Sequence, residues 1–221
     1  AMSARLFPLY ATTQLPYVHL LSFGAAALVI GLFVRLIGNL AHIDALSGCG
    51  QIAQAAGIGA AIIALRVFER RRTLPRRQVR IRTDPLQLHL ISAYAWLGLA
   101  GVLLWFNGLN RLGLELWHPG MDAERHALGA GFVTLLIFGV GSEMLPGFAQ
   151  QALRRPQLRW ATLALGNLAA LLRIAPLLFP GSLSTQGNAA VMSSAGLLGA
   201  LAIGLFLVNI PVFRRARPSR T

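Results

Sequence analysis

Apolar residues in this chain neither alternate nor recur every three to four positions. They run together. Six stretches of about 20 residues are almost wholly apolar: Val18–Ala41, Leu46–Phe68, Leu86–Asn107, Arg125–Gly147, Arg159–Phe179 and Ala189–Val212. At about 1.5 Å of rise per residue, each is long enough to carry an α-helix across the hydrocarbon of a bilayer. The first is too long for a signal-peptide core, and no small-residue cleavage pattern follows it, so it reads as a true span. Turn signals separate the runs: Thr83-Asp84-Pro85, His118-Pro119-Gly120, Arg155-Pro156 and Phe179-Pro180-Gly181. The pattern predicts an all-α, polytopic transmembrane helix bundle, with six spans in a single integral membrane domain covering residues 1–221.

Composition supports that class. Of 221 residues, 55% are hydrophobic and only 12% charged, against about 25% charged in an ordinary soluble domain. Disordered chains, coiled coils and most water-soluble enzymes are excluded. The net charge of +13 comes from 20 Arg with no Lys, and its placement decides what it means. Sixteen of the Arg fall on one side of the six-span model. They are Arg5, Arg66, the seven between Arg70 and Arg82, the trio Arg154, Arg155 and Arg159, and four in the tail from Arg214 to Arg220. Cytoplasmic loops are enriched in Lys and Arg, so 69–85 is read as a basic cytoplasmic loop and both termini as cytoplasmic. The expected setting is a bacterial inner membrane, with the lipid bilayer as partner and anionic headgroups meeting the Arg blocks. Nucleic acid is not an expected partner. The single cysteine, Cys49, excludes an intramolecular disulfide, a Cys-based zinc site and an iron–sulfur cluster. It is expected to be a small buried apolar residue.

Small residues supply close helix packing, as in Ala127/Gly131 and Ala195/Gly199. Trp105, Trp117 and Trp160 sit where aromatic belts form. Tyr94 and Trp96 read as packing residues.

Polar residues inside spans are costly and point to function. Arg35 lies about 10 Å below the outer face of span one, by helical rise. Arg35, Asn39 and His42 are spaced to share a helix face, as are Ser47, Gln51 and Gln54 on span two. His126 opens span four, and Arg173 lies about six residues before the outer end of span five. Four helices therefore bring two Arg, two His, two Gln, one Asn and one Ser to one layer. The two Arg have almost no acid to pair them, which points to an anionic ligand. Glu143 lies too deep on the inner side and is expected to meet Arg154 and Arg155.

Two imidazoles at one depth suit axial ligation of a haem iron, and guanidinium groups suit its propionates. His42 and His126 are the candidate ligands, with Arg35 and Arg173 toward propionates and Asn39 and Gln51 in the same layer. The cofactor expected is haem b. Copper is the neighbouring reading, with His118, Met121, His126 and His42 as its ligands, because imidazole and thioether suit it. His19 and His89 near the inner ends of spans one and three read as interfacial histidines or as a second haem or metal site.

One local pattern is more particular. Span four carries Arg125-His126-Ala127, Gly131-Phe132, Gly139, Gly141 and Met144-Leu145-Pro146-Gly147-Phe148, with Tyr94-Ala95-Trp96 before it and Arg159-Trp160 after it. This resembles the C-terminal half of the NnrS family, over residues 86–212. The resemblance implies a helix bundle similar in outline to the haem–copper oxidases. It also implies haem and copper as cofactors and a role in nitric-oxide metabolism. His126 is the one position carried over, as a haem or metal ligand. The chain departs from the family in having half the usual number of spans, and Glu143 stands where a basic residue is expected before Met-Leu-Pro. A half-length relative implies a larger membrane complex or a homo-oligomer as partner.

The leading expectation is thus a haem-binding membrane protein in electron transfer or nitric-oxide handling. A non-catalytic accessory subunit and a small-anion transporter subunit are the alternatives. No Ser/His/Asp or Cys/His constellation and no phosphate-binding loop stands in the required context.

Overall fold

The computed structural model describes residues 16–69, 84–120 and 122–210. Among these residues every regular element is helical, and six helices are long and apolar enough to cross a membrane. They are α1 (Val18–Leu40), α2 (Asp44–Leu65), α3 (Pro85–Arg111), α4 (Asp122–Phe148), α5 (Leu158–Leu178) and α6 (Thr185–Asn209). The six expected spans are all present, with no boundary displaced by more than four residues. Helix ends follow local chemistry. Asp84 accepts a hydrogen bond from the Leu86 amide, and Pro85 takes the first helical position, where a missing N–H costs nothing. Ser184 caps α6 by accepting from the Gly187 amide.

Neighbouring helices run in opposite directions. The chain forms a serpentine row in which α1 packs on α2, α2 on α3, α3 on α4, α4 on α5 and α5 on α6. One end of the bundle holds the start of α1, the end of α2, and Arg154 and Arg155, whose amides reach Asn209. It is called here the basic end. The other is the far end, where Gly120 donates to the Leu177 carbonyl and Trp117 to that of Leu178. The terminal arginines and Arg70 to Arg82, on which the cytoplasmic assignment rests, lie outside the described residues.

Seven-residue spacing of glycine joins α1 to α2. Gly24, Gly31 and Gly38 are the buried residues of α1. A Cβ at Gly38 would stand 2.4 Å from the Ser47 amide nitrogen, and one at Gly50 would stand 2.4 Å from that of Arg35. Only glycine permits this approach, which brings backbones into van der Waals contact where lipid gives no hydrophobic drive to association. The opposite face of α1 points outward with Phe23, Ile30, Phe33 and Ile37 exposed, as a lipid-facing helix requires. Cys49 is also exposed on α2, against the expectation of burial. Gly48 and Gly50 on either side of it take the inward-facing positions.

The central core lies among α3, α4 and α5. Ala93, Leu103, Leu135, Phe138, Ala170 and Ile174 are almost fully buried there. Tyr94 meets Phe132 edge to face, with ring centroids 5.4 Å apart. The Trp96 indole donates to Asn167 Oδ1 of α5, so both aromatics of α3 pack as expected. Trp117 also packs edge to face on Phe106.

Candidate functional site

α4 is not uniform. It begins as an α-turn, Asp122–His126, passes through a π-helical stretch, Ala127–Val133, and continues as an α-helix from Thr134. The Thr134 hydroxyl donates to the Gly129 carbonyl five residues back, at 2.9 Å. Wide π turns are rare and concentrate at functional sites. Gly131 lets this stretch approach α3, since a Cβ there would stand 2.5 Å from the Trp96 side chain. The stretch starts directly after His126, so it sets where that imidazole points relative to the helix below it.

The far half of the bundle holds two polar groupings. In the first, Arg35 of α1 crosses to α4 and forms an ion pair with Glu124, with Nη2 to Oε1 at 2.6 Å. Glu124 is 4% exposed, and its other oxygen accepts from Asn107 Nδ2 at 3.3 Å. Arg35 Nη1 also donates to Gln54 Oε1 at 3.4 Å. Beside this, Asn39 accepts from the Ser47 hydroxyl at 2.7 Å, and Arg111 pairs with Asp44 at 2.9 Å. Arg35 is therefore not the uncompensated cation expected. Glu124 lies just before the predicted start of span four at Arg125, but the helix begins at Asp122 and this carboxylate is buried within it.

In the second grouping, Arg173 of α5 donates from Nε to His126 Nε2 at 3.2 Å. An imidazole nitrogen that accepts is unprotonated, so His126 carries its proton on Nδ1. Among the described residues no carboxylate comes within ion-pair distance of Arg173. Both side chains open into a cleft of about 400 Å³ between α4, α5 and α6. Its walls are small: Ala130, Gly166, Ala169, Ala195, Gly196 and Gly199. A Cβ at Gly196 would meet nothing within 4 Å. Toward the basic end Phe138 closes the cleft, stacked at a tilt on Phe206 with centroids 5.0 Å apart. The combination is a cation and an imidazole lone pair above an apolar slot, which suits a ligand with acidic groups on an apolar body.

Residues 52–214 match the model of a domain of unknown function (DUF8744). The chain belongs to that family. No curated protein and no solved structure matches it. The matched DUF8744 region contains α3 to α6 and the whole cleft, while α1 with Arg35 lies outside it.

Several expected partners do not join the cleft. His42 shares no helix face with Arg35 and Asn39, because α1 ends at Leu40 and His42 turns out in a left-handed conformation, φ 55°. It is exposed at the α1–α2 turn, with α2 and α3 between its helix and the cleft. The paired-imidazole arrangement of His42 with His126 is therefore not formed. His118 is exposed in the loop before α4, and Met121 lies outside the described residues. Among the described residues no group of three or more His, Cys, Asp or Glu is placed to hold a metal ion. Gln51 is buried on α2 and its Oε1 has no partner there. Glu143 pairs with Arg159 at 3.0 Å rather than with Arg154 or Arg155, because Arg159 is already in α5 and faces it. Ala195 and Gly199, expected to pack against a neighbouring helix, line the cleft instead, and Thr134 and Phe138 carry no chemical signature that marks them in the sequence.

Proposed function

We propose that this DUF8744 chain is a multi-pass membrane protein that binds haem in the α4–α5–α6 cleft. The observation that carries the reading is the His126–Arg173 pair, a neutral imidazole lone pair and a cation without a carboxylate, set over a slot walled by Ala and Gly. The residues fit the group. His126 Nε2 would hold the iron, and Arg173, released from His126, would meet a propionate. The small side chains on α5 and α6 leave room for a flat apolar body. Bound there, haem would supply electron transfer or nitric-oxide chemistry, in line with the NnrS resemblance of span four. This chain would supply one imidazole, and a residue of a larger complex or second copy would supply any further ligand.

The anion-transport alternative loses ground, because one of the two arginines that motivated it is paired with Glu124. The accessory-subunit alternative is separated by experiment. Protein purified in mild detergent should show a Soret band that is lost in His126→Ala and retained more weakly in Arg173→Leu. A colourless preparation that takes up no added haemin overturns the reading.

A further inference from the structure

A separate polar grouping lies at the basic end, where α3, α4 and α5 meet. His89 is 0% exposed. Its Nδ1 lies 2.8 Å from the Pro85 carbonyl oxygen. A carbonyl only accepts, so Nδ1 carries the proton and Nε2 of the neutral ring is a bare acceptor. Nε2 is buried and has no partner among the described residues. Arg159 Nε, at the head of α5, is likewise buried with no partner, while its Nη2 is held by Glu143. One buried acceptor thus lacks a donor and one buried donor lacks an acceptor. The charges acting on the imidazole are those of Arg159 and, from the head of its own helix, Asp84. Glu143 of α4 stands behind Arg159.

Leaving such groups dry costs about 1–3 kcal/mol each, and buried polar atoms without protein partners are satisfied by ordered water. The chemistry narrows the occupant. A metal ion at the imidazole lone pair would face the Arg159 guanidinium. An anion at Arg159 would face that lone pair. Water suits both groups, since it can accept from Arg159 Nε–H and donate to His89 Nε2.

We propose that His89 Nε2 and Arg159 Nε form a buried water site, and that this water makes His89 a proton-accepting group reached from the basic end. Glu143 is 42% exposed and bonded to Arg159, so it links the site to the surface. The site can be satisfied in both protonation states. With neutral His89 the water donates to Nε2. When a hydronium ion delivers a proton to Nε2 and leaves as water, the remaining water accepts from Nε2–H and from Arg159 through its two lone pairs. Close approach of α4 seals the ring from lipid, since a Cβ at Gly139 would stand 2.7 Å from the His89 Cβ. The inference is independent of haem binding.

The test is solid-state NMR of the full chain in lipid nanodiscs with histidine labelled by nitrogen-15. His89 is assigned by the resonance missing in His89→Asn. Neutral His89 should carry its proton on Nδ1, and its Nε2 should receive magnetisation from water. Acidification should protonate Nε2 with the water contact kept. Arg159→Met should abolish the water transfer while the Nδ1 proton stays on the Pro85 carbonyl. A wild-type Nε2 with no water contact, or one that already carries the proton in the neutral ring, overturns the proposal without need of any variant.

Discussion

Arg35 and Arg173 both lie five residues before the far end of their helices, yet they meet opposite surroundings. Arg35 faces inward across α2 to a buried carboxylate, with Gln54 and Glu124 taking both terminal nitrogens. Arg173 spends its Nε on a neutral imidazole, and its charge is met by no carboxylate among the described residues. The cleft beside it is walled mainly by alanine and glycine. A guanidinium with its own counter-ion ties helices together. One beside an apolar slot has no such tie, which is why the proposed ligand site is put at Arg173.

The contrast can be broken most severely at Glu124. Replacing it by Leu leaves the Arg35 charge without a partner, and losses of about 3–5 kcal/mol follow when one half of a buried pair is removed. The double variant Arg35→Leu with Glu124→Leu should recover most of that loss. Unfolding in mixed micelles measures both, and equal losses in the single and double variants would remove the ion pair as the cause. Arg173→Leu should cost far less, about 1 kcal/mol for one hydrogen bond, while ligand retention weakens. A loss as large as that at Glu124 would make Arg173 a structural residue too. The smallest effect on folding is expected at Gly199→Leu, within about 0.5 kcal/mol, because a Cβ there meets only Ala169 at 3.8 Å. The added side chain should still exclude a bulky ligand from the slot, read as lost absorbance at unchanged melting temperature.

How far the sequence could be read follows from what each feature depends on. The spans were legible because about 20 apolar residues in a row have few other fates. Arg35, His126 and Arg173 were legible as polar residues within spans, since depth along a helix follows from counting. Partner identity was not. Glu124 looked like a loop acid because the start of α4 is polar, and His42 looked like a face-mate of Arg35 because counting assumed that α1 continues past Leu40. The glycine contacts of α1 do repeat every seven residues, a spacing that the sequence itself displays. His89 reads from the sequence as interfacial or as part of a second haem or metal site, and only the packing of Gly139 against it shows how deeply it is enclosed. The small pair Ala195/Gly199 signalled packing rather than a cleft, because absence of side-chain volume on three helices becomes a space only once they are packed.

The wide turn of α4 from Ala127 to Val133 has a consequence for how this protein can vary. Such a turn accommodates an extra residue that an α-helix of the same rise would not hold. Removing one residue from it would restore ordinary winding and rotate everything upstream by about 100° relative to the helix below, the angle of one residue at 3.6 per turn. His126 would leave Arg173, and Glu124 would leave Arg35, in the same event. Both pairings therefore hang on a residue count rather than on any particular side chain within the stretch. A chain could keep every residue named at either site and still lose both through a single deletion.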